Sequence, residues 1–96
     1  MAIVSFSDHV TEEFFITGKA GSKTGWASIA KVAKRKLDML HYAMKLGDLK
    51  VPPANRLEAL KGKLTGHHSI RVNDQWRIVF RWANAGPVDV KIVDYH

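Results

Sequence analysis

The sequence predicts an α+β domain in which a short strand and two helices precede four strands of a mainly antiparallel, twisted sheet. Three observations predict it. Apolar residues recur every three or four positions at Trp26, Ile29, Ala33, Leu37, Leu40 and Met44, as on one face of a helix. From Arg56 onward the period changes to alternation, the mark of half-buried strands. Between the two regimes Pro52-Pro53 breaks the chain.

Composition sets the scale. The chain has 96 residues, 46% of them hydrophobic and 25% charged, which suits one globular domain over residues 1–96 and excludes a disordered chain. Fifteen Lys and Arg against nine Asp and Glu give +6, a balance that favours an anionic partner, nucleic acid first. With no cysteine, disulfide scaffolds and thiolate zinc sites are excluded. Residues 1–6 show neither a basic n-region nor a long apolar run, so the expectation is a soluble, cytoplasmic protein with no membrane span.

The elements follow in order. Ile3–Phe6 suits a first strand, and Ser7 or Asp8 offers an N-cap for a helix carrying Val10, Phe14 and Phe15 that Gly18 ends. Residues 19–25 are rich in glycine and small polar residues and read as a loop. A long amphipathic helix is predicted over Trp26 to Leu46, with Gly47 as its C-cap and Lys31, Lys34, Arg35 and Lys36 on its outer face. Six cations and no acids lie between Lys19 and Lys36, making that face a secondary RNA-binding candidate.

Leu57–Leu60 suits a strand, and a hairpin follows whose register the alternation decides. A two-residue turn at Asn73-Asp74 would mix core and solvent faces, because directly opposed residues share a face. A three-residue loop, Asn73–Gln75, instead pairs Val72 with Trp76, Ile70 with Ile78 and His68 with Phe80. A symmetric loop through Asn84-Ala85-Gly86-Pro87 would then pair Trp82 with Val88, Phe80 with Val90 and Ile78 with Ile92.

That register leaves His67, Ser69, Arg71, Arg77, Val79, Arg81, Lys91 and Tyr95 on the second face, a cationic surface. Arg71 lies directly opposite Arg77, and such like-charge pairs cost a few tenths to about 1 kcal/mol unless something anionic lies between them. A phosphate fits. RNA cleavage needs a base near the 2′-hydroxyl, cations around the phosphorane and an acid for the departing 5′-oxygen. Arg71, Arg77 and Lys61 suit the charge, His96 or Glu58 the proton exchange, and Tyr95 the orienting or stacking of a base. Asp94, Tyr95 and His96 close an alternating run at Val88, Val90 and Ile92, which predicts that the imidazole is held by a sheet. No metal site is expected: His67 and His68 would point to opposite faces, His68 reads as a hydrogen-bonded core imidazole, and His9 and His41 have no partner at helical spacing.

The stretch Asn55-Arg56-Leu57-Glu58-Ala59-Leu60-Lys61-Gly62, the block Gly66-His67-His68-Ser69-Ile70-Arg71-Val72-Asn73-Asp74-Gln75-Trp76-Arg77-Ile78-Val79-Phe80, and the closing Val93-Asp94-Tyr95-His96 resemble HigB toxins of the RelE/ParE superfamily, GraT-like members most. The resemblance extends over Ser5 to Lys19. It implies a small RelE-like fold and a ribosome-dependent endoribonuclease that cuts mRNA without a cofactor, neutralised by a HigA-type helix-turn-helix antitoxin. Carried over by position, it implies catalytic roles for Lys61, Arg71, Arg77, Asp94, Tyr95 and His96. Many HigB proteins have His where this chain has Glu58, which implies a weaker nuclease. Glu58 and Lys61 reach one site only if their strand ends or bulges before Gly62. Lys63, His67, Arg81 and Lys91 complete the RNA-binding candidates with the helix cations. The alternatives are a ParE-like gyrase poison or a non-catalytic RNA- or ribosome-binding module.

Overall fold

The computed structural model describes residues 2–21 and 24–94. Helix α1 (His9–Thr17) starts where Asp8 caps it, its carboxylate accepting the Thr11 N–H at 2.7 Å. It ends at Gly18, whose left-handed backbone (φ 74°) turns its N–H back to the Phe14 carbonyl at 2.7 Å. Helix α2 (Ala30–Tyr42) follows a 3₁₀ turn at Ala27–Ile29, and four strands complete the chain: β1 (Glu58–Ala59), β2 (His67–Arg71), β3 (Trp76–Ala83) and β4 (Gly86–Asp94). They form one antiparallel sheet in that order. The helices cover one face. Phe14, Trp26, Ala33, Leu37, Leu40 and Leu49 pack there against Ile70, Val72, Ile78, Phe80, Val90 and Ile92. Among the described residues no helix is long and apolar enough to cross a membrane.

The regular order starts with a helix rather than the expected strand at Ile3–Phe6. This segment makes a single parallel bridge, Phe6 to Val90, with Val4 N–H on the Pro87 carbonyl (2.8 Å) and Ser7 N–H on that of Val90 (2.9 Å). A longer ladder is blocked on both sides, because Asp8 already caps α1 and Asp89 turns its backbone to φ 53°.

Helix α2 is shorter than predicted at both ends. Trp26 is buried edge-on against Phe14, with ring centroids 4.7 Å apart, and the chain takes a 3₁₀ turn before the helix settles. Beyond Tyr42 the backbone is extended at Ala43, and the Asp48 carboxylate accepts the N–H groups of Met44 and Lys45 at 2.9 and 3.2 Å. Gly47 therefore lies inside a second 3₁₀ turn, Leu46–Lys50, and is no cap, while Met44 is exposed. Lys36 departs from its predicted outer face: it is buried, because it stands three residues after Ala33 and four before Leu40, on the core side of the helix. The predicted strand Leu57–Leu60 shrinks to Glu58–Ala59, cut by the left-handed Arg56 on one side and the Gly62–Leu64 turn on the other.

The β2–β3 register is the predicted one, with Arg71 opposite Arg77, Ile70 opposite Ile78 and His68 opposite Phe80. Asn73 builds the three-residue loop, its side-chain oxygen accepting the N–H groups of Gln75 (2.9 Å) and Trp76 (2.7 Å). Between β3 and β4, Ile78 opposes Ile92 as expected, but Trp82 meets Pro87 rather than Val88. The loop there is only Asn84-Ala85, one residue shorter than assumed, and the extra residue reappears as a bulge at Asp89. Phe80 therefore lies at the register shift rather than in a regular pair with Val90.

Gly25 fixes the approach of the long loop to the sheet. A Cβ there would lie 2.7 and 2.8 Å from two ring carbons of Trp76. Gly25→Ala is expected to lower unfolding stability by about 1–3 kcal/mol, read by urea denaturation, because the indole packs against the core and has to give way.

Candidate functional site

The hairpin between β2 and β3 builds the site. The pleat that sends Ile70 and Ile78 into the core sends Arg71 and Arg77 to the opposite face, side by side. Ser69 and Val79 form the next pair on that face and are fully buried, and Arg77 is 8% exposed. The predicted open cationic surface is thus partly closed, its floor made by Ser69, Val79 and the body of Arg77.

Arg77 is fixed from two directions. Its Nε donates to the Ser69 hydroxyl at 2.8 Å, and one Nη donates to the Arg56 carbonyl at 2.6 Å. Glu58, opposite Ser69 on the edge strand, brings a carboxylate oxygen to 3.9 Å from the same guanidinium. Arg71 instead reaches across the hairpin loop, where its Nη2 meets Asp74 at 2.5 Å. The like-charge opposition of the two arginines is met here by the chain's own carboxylates. The Arg71 hydrogen bond and charge, with Arg56 nearby, hold the Asp74 carboxyl below its ordinary value of 3.8. Whatever the pair adds to stability is therefore present above 3.8 and is lost as the pH falls through that lowered value. Asp74 is itself open to solvent, so an incoming anion can take its place on Arg71.

The other predicted residues are distributed as follows. Asp94 lies at the same end of the sheet, opposite Trp76, and accepts a hydrogen bond from the Gln75 amide at 3.0 Å. Its position in the pleat is that of Ile92 and Trp76, whereas Val93 opposes Arg77. Tyr95 and His96 lie outside the described residues. Strand β1 ends at Ala59, so alternation no longer assigns Lys61 to the face away from Glu58, and Lys61 is exposed at the start of the next turn. Lys63 is exposed in that turn. Lys91 shares the Arg face opposite Val79, and His67 stands opposite Arg81. Arg81 is held by Asp89 at 2.7 Å across the bulge.

Lys31 and Arg35 are exposed on α2, and Lys34 is bound to Asp38 at 2.6 Å and sits 4.8 Å over the Phe15 ring. That helix packs on the sheet face opposite the one to which the arginines belong. His68 is on the core side and stacks on Phe80, but among the described residues its buried Nδ1 finds no hydrogen-bond partner, unlike the satisfied imidazole expected; the same holds for Nδ1 of His67. Among the described residues no three His, Cys, Asp or Glu side chains gather to hold a metal.

Asp74 and Arg56 escaped the sequence reading. Asp74 could have been found from its spacing, since a three-residue loop after Val72 sets it within reach of Arg71. Arg56 acts through its carbonyl, which side-chain chemistry does not reveal.

Residues 4–96 match the family model described as the RelE-like toxin HigB of type II toxin-antitoxin systems. The chain belongs to the HigB family of RelE-like toxins. It is 40% identical over 81 residues to Toxin HigB-1 of Vibrio cholerae, an alignment covering 84% of each chain. An uncharacterized protein of Haemophilus influenzae is 39% identical over 79 residues, covering 82% of this chain and 77% of that one. Solved structures share the fold at lower identity. The YoeB-YefM complex of Staphylococcus aureus matches with a TM-score of 0.58 at 22% identity, covering all of this chain and 97% of that one. The YoeB/ParE toxin of Agrobacterium tumefaciens matches at 0.53 and 19%, covering all of this chain and 99% of that one. In this HigB chain the family match spans both the helices and the guanidinium face.

Proposed function

We propose that this HigB toxin is a ribosome-dependent endoribonuclease that cleaves mRNA by metal-independent acid–base chemistry. The observation that carries the reading is the placement of Arg71 directly opposite Arg77 on one face, with the Glu58 carboxylate 3.9 Å from Arg77. In the reaction a base takes the 2′-hydroxyl proton, the 2′-oxygen bonds to phosphorus, and the 5′-oxygen leaves with a proton, giving a 2′,3′-cyclic phosphate. Arg71, Arg77 and Lys61 neutralise the phosphorane, Glu58 and His96 exchange protons, Tyr95 orients a base, and Asp94 orients its neighbours. Lys31, Arg35, Lys63, His67, Arg81 and Lys91 are the remaining RNA or ribosome contacts, with Lys34 available once released from Asp38. Lys36 leaves that set because it is buried. The toxin works in the cytoplasm and is held inactive by a HigA-type antitoxin, a reading supported by the family and by a structural neighbour that is itself a complex, YoeB-YefM.

Inducing the chain without its antitoxin and mapping mRNA 5′ ends tests the reading. New ends within translated regions that vanish when ribosomes are absent are expected. DNA damage with no new ends would instead support gyrase poisoning, the activity of ParE-like relatives.

The internal carboxylate on Arg71 makes a separate prediction. Asp74→Asn is expected to tighten binding of a short single-stranded RNA by about three- to tenfold at low salt, since one competing anion is removed. Filter binding at two salt concentrations checks it.

A further inference from the structure

Behind Arg77 lies a buried polar strut. Lys36 is 5% exposed, and its ammonium donates to the side-chain oxygen of Asn55, which is wholly buried. The Asn55 amide donates in turn to the Leu49 carbonyl at 3.2 Å and lies 3.7 Å from the Met39 sulfur. Asn55 ends the short turn Pro53–Asn55, and the next residue, Arg56, is left-handed (φ 46°, ψ 57°). That conformation is unfavourable for a residue with a Cβ and persists only where its surroundings enforce it. The Arg56 carbonyl is the group that accepts from the Arg77 guanidinium at 2.6 Å.

We propose that Lys36 and Asn55 are positioning residues that hold the Pro53–Arg56 turn so that the Arg56 carbonyl locks Arg77 in place. The proposal rests on reading Arg77 as the guanidinium that meets the scissile phosphate. A buried ammonium is a costly way to fill space; burial, then the charges of Arg35 and Arg71, hold Lys36 below the ordinary lysine value of 10.5. An apolar side chain of similar length would fill the position at less cost. It would not hold the Asn55 oxygen, and the turn would lose the tie that runs from α2 to the edge of the sheet. Lys36 and Asn55 thus act on the reaction through Arg77, without touching RNA.

The test compares Lys36→Met and Lys36→Arg in the wild-type and Arg77→Gln backgrounds. Two quantities are read: single-turnover cleavage of ribosome-bound mRNA, and hydrogen exchange at the Arg77 Nε–H relative to β3 backbone amides. Lys36→Met is expected to slow cleavage about tenfold in the wild-type background and less than about twofold beside Arg77→Gln, because residues acting through one group are not additive. It is also expected to speed exchange at Arg77 by about tenfold more than at the β3 amides, and Lys36→Arg to restore both in large part. Equal losses of activity in the two backgrounds, or exchange that rises in step with the β3 amides, would overturn the proposal and leave Lys36 a purely structural residue. The exchange comparison decides the positioning claim even if the wild-type chain cuts no mRNA, an outcome that would count against the nuclease reading instead.

Discussion

Arg77→Gln is expected to slow mRNA cleavage by about 10²–10³-fold, the usual scale for removing one fixed donor from a developing oxyanion. The glutamine keeps amide donors for the Ser69 hydroxyl or the Arg56 carbonyl while deleting the charge. Alanine is the poorer probe. Arg77 is 8% exposed and bound to a fully buried Ser69, so truncation would orphan a buried hydroxyl as well as remove the cation, costing about 1–3 kcal/mol of stability. With glutamine, the loss should fall on the rate while the urea midpoint moves little. Paired measurements of cleavage and unfolding check this separation.

His96→Ala is expected to slow cleavage by about 10²–10⁴-fold, the range for losing a positioned proton carrier. Strand β4 is anchored up to the last described residue. The Ile92 N–H donates to the hydroxyl of Thr11, a buried residue of α1, at 3.2 Å, and Asp94 is tied to Gln75 of the hairpin. Strand β4 is thereby held between the first helix and the arginine hairpin just before Tyr95 and His96. Single-turnover cleavage of ribosome-bound mRNA by both proteins, paired with urea unfolding, checks the expectation.

The parts of the site that were legible in sequence are those set by period two. Alternation through Ile70, Val72, Trp76 and Ile78 admits one register that keeps core residues together, and that register puts Arg71 opposite Arg77. The caps at Asp8 and Gly18 were legible because each residue type has a specific backbone role. Residues that act against type were not. Lys36 looks like another member of a solvated basic face, and only the buried oxygen of Asn55, 19 positions away, reveals why it turns inward. Arg56 gives no sign in sequence of its left-handed backbone, since arginine has no preference for it. The bulge at Asp89 was hidden for a similar reason: the short Asn84-Ala85 turn and the inserted residue cancel, leaving the pairing of Ile78 with Ile92 as expected.

The Arg71–Asp74 and Arg77–Glu58 contacts also revise how the basic face works. The charge of these two arginines is met by the protein's own carboxylates, so net charge alone is a poor measure of how strongly the face attracts an anion. On the proposed function, a phosphate of RNA has to displace Asp74 while meeting a guanidinium already fixed at Arg77.

On the proposed function, Arg71 and Arg77 act on one phosphate. A double-mutant cycle of single-turnover cleavage on ribosome-bound mRNA, run in EDTA with Arg71→Gln, Arg77→Gln and the pair, tests it most directly. The wild type is expected to cut, each single variant to be slow, and the double variant to lose clearly less than the product of the two single losses. Wild-type rates in either single variant, or two losses that simply multiply, would contradict it.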